Sequence, residues 1–445
     1  MPASRPNIIF IVADDLGYAD LGCYGGREAN FGPVAPVLDT LAENGLRLTQ
    51  GYSNSPVCSP TRFAMMTGRY QYRLRGAAEE PISNRTRGNP ELGLSPAHPT
   101  LPSLLRGAGY RTALIGKWHL GFAPHFGPLR SGYQEFYGPM AGGVDYFTHR
   151  ASNGVHDLWE GEQEREDPGY LTDLLSRRAV DYVTRMAEQD APFFLSLHHT
   201  APHWPWETRD DESIVPSVAE NIMHVGGGSI HTYRRMIHHM DEGIGWLVEA
   251  LRRHGMVENT LLVFTSDNGG ERFSDSWPLV GGKMDLTEGG IRVPWIAHWP
   301  ACIAPGGVSA QQCLTMDWSA TMLDAAGVDA HPDFPLDGIS LLSLLQTPSG
   351  GLAQREFRRP MFWRMKHRGQ RALRDGDWKY LRVDEFEYLF NVPQDERERA
   401  NLASKEPERM VSMRAQWESW NGSMPAIPAE AGVYLGYTLA DMPQR

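Results

Sequence analysis

Four segments of the chain are apolar at nearly every position: residues 7–13, 110–115, 193–197 and 261–265. A run without polar alternation is the pattern of a strand covered on both faces, as in a parallel sheet between helices. Each run ends in residues that carry chemistry: Asp14-Asp15, then Lys117-Trp118-His119, then His198-His199 followed by His203, and last Ser266-Asp267-Asn268. Ligands of open α/β sheets collect outside the carboxyl ends of the strands, so these four groups are expected along one edge. Helical periodicity fills the intervals, at residues 36–46, 101–107, 171–188, 232–253 and 317–326. In the long helix at 232–253, Met236, Met240, Ile244, Leu247 and Leu251 form one stripe, which reads as core. His238 and His239 on the same helix, and His198 and His199, read as structural residues.

The rest of the pattern is less periodic. Residues 71–99 and 210–229 read as long loops, and the aromatic stretch up to about 168, with Asp145 and Trp159, reads equally as a substrate rim or as loop packing. A boundary is expected at Thr347-Pro348-Ser349-Gly350-Gly351, followed by a hairpin about Arg374-Asp375-Gly376-Asp377 and a helix at 405–420. The fold class is therefore α/β: a large, mostly parallel sheet sandwiched by helices over residues 1–350, with a small C-terminal antiparallel sheet-and-helix subdomain at 351–445.

Composition narrows the function. The 445 residues carry a formal charge of -12, which argues against a nucleic-acid binder that must displace counterions with a basic surface. No apolar stretch reaches the roughly 18 residues of a membrane span. The first six residues lack the apolar core of a secretory signal, so a cytoplasmic protein is expected. Four scattered cysteines, Cys23, Cys58, Cys302 and Cys313, make neither a disulfide framework nor a thiolate metal site.

One cysteine stands apart. Pro60 suits a first helical turn and Gly68 a left-handed helix end, so Cys58 lies at a helix N-terminus where backbone N–H groups and Arg62 favour negative charge. Asp14, Asp15, Asp267 and Asn268 offer four oxygen ligands without thiolate or imidazole, which favours a hard cation, Ca²⁺ before Mg²⁺. Lys117 and His119, two apart, point to one side if the strand continues through them.

Cys58-Ser59-Pro60-Thr61-Arg62 and Gly116-Lys117-Trp118-His119-Leu120-Gly121 together resemble the two signatures of the type I sulfatases, within the alkaline phosphatase-like superfamily. The resemblance runs over essentially the whole chain. It implies that a formylglycine-generating enzyme oxidises Cys58, and that the hydrated aldehyde attacks the sulfur of a small-molecule sulfate ester of the aryl, alkyl or sugar type. It implies further that a single divalent ion and Arg62 hold this group, and that the modified Cys58 adds an oxygen to the metal. Lys117, Lys283 and His203 then bind sulfate oxygens, Asp267 is a candidate base, His203 protonates the departing alcohol, and His119 acts in the release of sulfate. A phosphonate or phosphate ester hydrolase of the same superfamily is the alternative; its phosphonate members usually carry Asp-His where this chain has Asp267-Asn268. A non-enzymatic binding protein on the same fold is expected to have lost part of this set, which is intact here.

Overall fold

In the computed structural model, residues 5–26, 31–215, 222–224, 227–347 and 357–434 are described below. The four apolar runs form strands β1 (Asn7–Ala13), β4 (Arg111–Gly116), β8 (Phe193–His198) and β9 (Thr260–Ser266), buried along almost their entire length. Shorter strands complete the front part: β2 (Leu46–Leu48), β3 (Gly51–Tyr52), β5 (Glu135–Gly138), β6 (Trp159–Glu160), β7 (Gln163–Glu164), β10 (Trp295–His298), β11 (Gly307–Ser309) and β12 (Cys313–Leu314). Ten of them make one sheet in the order β11-β2-β10-β9-β1-β8-β4-β5-β6-β7. Its centre, from β9 through β1, β8 and β4 to β5, is parallel, while β10 pairs antiparallel with both β9 and β2, and β6 antiparallel with β5 and β7. The sheet is thus mixed, with the parallel part where the sequence is continuously apolar.

Two groups of helices flank it. Leu171–Met186 packs on Ile230–Arg253, which also meets Pro36–Glu43; Cys58–Thr67 packs with Leu101–Gly107 and Thr315–Ala325. Met236, Met240, Ile244, Leu247 and Leu251 are all buried, as core residues should be. The first helix stops at Glu43, earlier than its apolar pattern suggests, because Leu46 and Leu48 enter the sheet beside β10; a Cβ at Gly45 would stand 2.2 Å from the Ala297 carbonyl oxygen.

Beyond residue 357, β13 (Met361–Arg364), β14 (Arg371–Asp375), β15 (Trp378–Val383) and β16 (Phe386–Asn391) form an antiparallel sheet covered by the helix Pro407–Gly422. The β14–β15 turn is the two-residue Gly376-Asp377 loop, with Gly376 at φ 59°. Pro348 to Gly351, where the boundary was expected, lie outside the described residues. The small sheet shares its core with the front part. Met361, Trp363, Leu373 and Leu389 pack with Tyr52, Ala64 and Leu286, and Trp363 Nε1 donates to the Ser53 carbonyl at 2.8 Å, close to the Cys58 helix.

Candidate active site

β1 and β9 run parallel with Ala13 opposite Ser266, so their next residues emerge side by side. Asp14, Asp15, Asp267 and Asn268 all lie there, each at most 1% exposed. The turn is tight: Asp15 has φ 63°, its N–H donates to Asp267 Oδ1 at 3.3 Å, and Asn268 Nδ2 donates to Asp15 Oδ1 at 2.7 Å. A non-glycine residue at positive φ is uncommon, and Asp is among the types that tolerate it.

The cysteine helix meets this edge as the sequence predicts. Val57 is its extended N-cap, Cys58 its first residue, and Gly68 its left-handed end at φ 64°. Arg62, one turn along, sends Nε and Nη2 to Asp267 Oδ2 at 2.9 and 2.8 Å and Nη1 to the Lys117 carbonyl at 3.0 Å. Lys117 Nζ lies 2.6 Å from Asp14 Oδ2, and Lys283 Nζ 2.6 Å from Asp15 Oδ2. Three cations thus answer three buried carboxylates.

Lys117 and His119 do not reach the site on a continuing strand. Gly116 turns at φ 116°, a place where a Cβ would overlap the His198 carbonyl, and His119 itself has φ 56°. The segment is held instead by Lys117 N–H to His198 O at 2.8 Å and His119 N–H to Met140 O at 3.1 Å. The expected strand geometry fails because only glycine can make this turn against β8.

The histidine rings are fixed by carbonyls. His119 Nε2 donates to Ile82 O at 2.7 Å, which leaves Nδ1 without a partner; His203 Nδ1 donates to Trp204 O at 2.6 Å, which leaves Nε2 3.6 Å from Asp15 Oδ2. Burial, reinforced by Lys117 at His119 and by Lys283 at His203, holds both well below the ordinary imidazole range, so both rings are neutral. Ile82 was hidden in the long loop at 71–99, and no spacing signals it. Its N–H donates to Ser59 Oγ at 2.8 Å, so the cysteine motif itself positions the carbonyl that orients His119.

His198 and His199 are both buried. His198 Nδ1 lies 3.4 Å from Arg62 Nη1 and 3.3 Å from the Lys117 carbonyl oxygen, so according to its tautomer it accepts from the arginine or donates to the carbonyl that the arginine also binds, a link sequence reading missed; among the described residues neither ring nitrogen of His199 has a hydrogen-bond partner.

A cavity of about 510 Å³ opens over this cluster, walled by Cys58, His119, His203, Lys283 and Trp204. Arg62 and Lys117 lie beneath it, at most 1% exposed. Burial pushes the Cys58 thiol up to about 11 despite Lys117 and Lys283, so the unmodified thiol is protonated and a poor nucleophile near neutral pH.

The buried cluster fits a divalent metal ion. Ligand atoms of Asp14, Cys58 and Asp267 lie within 4.8 Å of one another, as do those of Asp14, Asp15 and His203. Among the described residues, Asp14 Oδ1 and Asn268 Oδ1 are buried without hydrogen-bond partners. Burial drives the Asp14 carboxyl well above its ordinary range, and Lys117 only partly opposes this, a balance that a nearby cation reverses. Burial also opposes ionisation of Asp15, but Lys283 beside it holds it down at about 2.

A model of the family described as Sulfatase matches residues 6–328. N-acetylgalactosamine-6-sulfatase of Sus scrofa is 32% identical over 379 residues, covering 80% of this chain and 68% of that one. Arylsulfatase J of Mus musculus is 32% identical over 348 residues, covering 76% of this chain and 55% of that one. The crystal structure of Ps i-CgsB in complex with k-i-k-neocarrahexaose superposes with a TM-score of 0.85 at 30% identity, covering 97% of this chain and 96% of that one. The expectation of a cytoplasmic protein is overturned by this kinship, because the related sulfatases are not cytoplasmic enzymes. Among the described residues no helix is long and apolar enough to cross a membrane. With matched residues reaching from β1 past the helix Thr315–Ala325, and a buried carboxylate cluster beside a helix-N-terminal cysteine, the chain belongs to the formylglycine-dependent sulfatase family of the alkaline phosphatase-like superfamily and is a sulfatase-type hydrolase.

Proposed function

We propose that the protein hydrolyses sulfate monoesters, and among them sulfate esters of sugars. The observation that carries this is the convergence on one cavity of Cys58, Lys283, His119 and His203 over the buried Arg62, Lys117 and carboxylate cluster. The sugar reading draws on the relatives, one named for N-acetylgalactosamine 6-sulfate and one solved with a carrahexaose. In this reading residues 1–350 are the catalytic unit and 351–445 a C-terminal subdomain that packs against it.

A formylglycine made from Cys58 supplies a hydroxyl nucleophile as its hydrate, and a hard divalent ion, Ca²⁺ before Mg²⁺, adds positive charge beside the sulfate oxygens. Asp14, Asp15, Asp267 and Asn268 would hold that ion. The remaining work falls to the chain's own side chains. Arg62 is fixed on Asp267 and keeps its charge at the base of the site; Lys117 and Lys283 offer ammonium donors to sulfate oxygens. Such preorganised cations in a water-poor site stabilise charge developing on the transferred group. Asp267, adjoining Cys58, is the candidate base for the attacking hydroxyl. His203 lines the cavity and is the candidate proton donor to the leaving alcohol; its neutral ring carries one proton on Nδ1, so donation from Nε2 requires that it first be charged, which the arriving sulfate ester monoanion favours over the apo state. His119, with Nδ1 bare, is an acceptor and suits proton removal in the release step.

The test is a side-by-side panel of sulfate, phosphate and phosphonate esters on protein matured at position 58. Sulfate monoesters are expected to turn over fastest, with sugar sulfates among the substrates. Faster turnover of phosphonate esters than of any sulfate overturns the reading.

A further inference from the structure

The cavity wall includes two residues that the chemistry above does not use, Arg85 and Tyr434, separated by most of the chain. Their meeting is built rather than incidental. Residues 432–434 run alongside residue 80: Glu80 N–H donates to Gly432 O at 3.1 Å, Tyr434 N–H donates to Glu80 O at 2.9 Å, and Glu80 pairs with Val433 as a parallel bridge. Glu80 is in turn tied to the C-terminal sheet by the N–H groups of Lys366 and His367, at 2.7 and 3.1 Å, and Lys366 Nζ donates to Ala429 O at 2.7 Å. The strap therefore bridges the small sheet and the active-site loop. A Cβ at Gly432 would stand 2.4 Å from the far end of the Tyr434 ring, so a larger residue there would displace the ring. Arg85 then stands with its guanidinium 5.8 Å from the centre of that ring, itself exposed, while Tyr434 is half-buried.

The Tyr434 ring, a rigid amphipathic element of the cavity wall, steadies the exposed guanidinium lying over it, and a guanidinium held in this way recognises a carboxylate or sulfate with paired N–H donors. Neither is suited to the sulfate being hydrolysed, which must lie beside Cys58 and the buried cations. We propose that Tyr434 and Arg85 form an outer subsite that holds a neighbouring sugar ring carrying a second anionic group, a sulfate or a carboxylate, on the alcohol side of the scissile ester. This rests on the sugar-sulfate reading above and makes the preferred substrate an oligosaccharide with more than one negative charge.

Binding separates this inference from catalysis. In full-length Cys58→Ala protein, calorimetry measures Kd for a disulfated carrageenan oligosaccharide, its monosulfated counterpart and nitrophenyl sulfate. Adding Arg85→Ala is expected to weaken the disulfated ligand by about tenfold, the scale of one lost charge-assisted contact, and the monosulfated ligand by much less. Tyr434→Ala should weaken both oligosaccharides more than nitrophenyl sulfate; Tyr434→Phe should recover most of that loss, whereas Arg85→Lys, which keeps the charge without the paired donors, should recover only part of the Arg85→Ala loss. Parallel losses on all three ligands, or no binding of the disulfated oligosaccharide to the parent protein, overturn the subsite. Failure of the sulfatase reading shows elsewhere, as absence of sulfate ester turnover by the matured wild-type enzyme.

Discussion

Lys283 and Asp15 meet at 2.6 Å with side chains only 8% and 1% exposed, so the glycine-rich loop that carries the lysine is pinned to the end of β1 by a nearly dry ion pair. Burial alone lowers the lysine, but Asp15 holds it well above its ordinary range, while Asp15 is held down at about 2. Removing one partner of a buried pair leaves the other charge uncompensated, at a cost of about 3–5 kcal/mol. Lys283→Met in metal-free protein is therefore expected to lower stability towards urea by a few kcal/mol near neutral pH. The sign with pH follows from the depressed carboxyl. The pair's contribution is present above the ordinary value of 3.8 and fades as pH falls towards about 2, so wild type and variant should converge in acid. A constant difference down to pH 2 would count against the pair.

In the proposed mechanism Cys58 acts only after chemical change. Its protonated, buried thiol at about 11 is a weak nucleophile, and Cys58→Ser supplies a hydroxyl with no route to release a bound sulfate. Mass spectrometry of the peptide spanning residue 58 is expected to show formylglycine in active protein, and Cys58→Ser to lose multiple turnover. Full activity with an unmodified thiol would refute this.

His199 makes the stability of the fold depend on pH. It is fully buried with neither ring nitrogen paired, and burial lowers its pKa from the ordinary 6.5 to about 3. A folded-state pKa below the unfolded one means that stability is complete above 6.5 and declines as pH falls towards 3, with a slope of up to about 1.4 kcal/mol per pH unit. His199→Phe should flatten that part of the stability profile; an unaltered slope between pH 6 and 4 would show that the ring finds a partner.

The helix around Cys58 was legible because Pro60 and Gly68 mark its ends by local backbone chemistry, and the gathering of Asp14 and Asp267 at one edge because buried apolar runs make parallel strands whose carboxyl ends share that edge, although the order of the strands was not encoded. What lay beyond reach had no periodicity. His119 is delivered by a left-handed turn, not by a strand, and is oriented by a main-chain carbonyl at Ile82 that any residue could have supplied. Tyr434 joins the cavity through pairing with Glu80, a contact across more than 350 positions that no local pattern encodes. Strand polarity was half visible: β10 is as apolar as its neighbours, yet runs antiparallel to β9.

The carboxylate edge should bind one hard ion per chain. Elemental analysis of purified protein is expected to find a single Ca²⁺ or Mg²⁺, and calorimetric Ca²⁺ binding should vanish in Asp14→Ala and weaken in Asn268→Ala, whose Oδ1 is otherwise unpaired. Activity should fall on chelation and return with the ion. Two metals about 4 Å apart would instead mark a two-metal phosphatase arrangement.

His203 and His119 face the same cavity with opposite vacant atoms, Nε2 on one and Nδ1 on the other, and this separates their roles by the leaving group. A proton donor matters when the departing alcohol is a poor leaving group and hardly at all when it is a nitrophenolate. His203→Ala is expected to slow an alkyl or sugar sulfate by about 10² to 10⁴ while affecting nitrophenyl sulfate far less. His119→Ala removes an acceptor used after the alcohol has gone. Pre-steady-state measurements should then show a burst of alcohol release followed by slow turnover, with both kinds of ester. Reading kcat/KM alongside the burst prevents a general loss of folding from imitating either result, since misfolding lowers both esters together and gives no burst. Equal losses on the two esters for His203→Ala, with no burst for His119→Ala, would reverse or cancel the assignments while leaving the sulfatase reading intact.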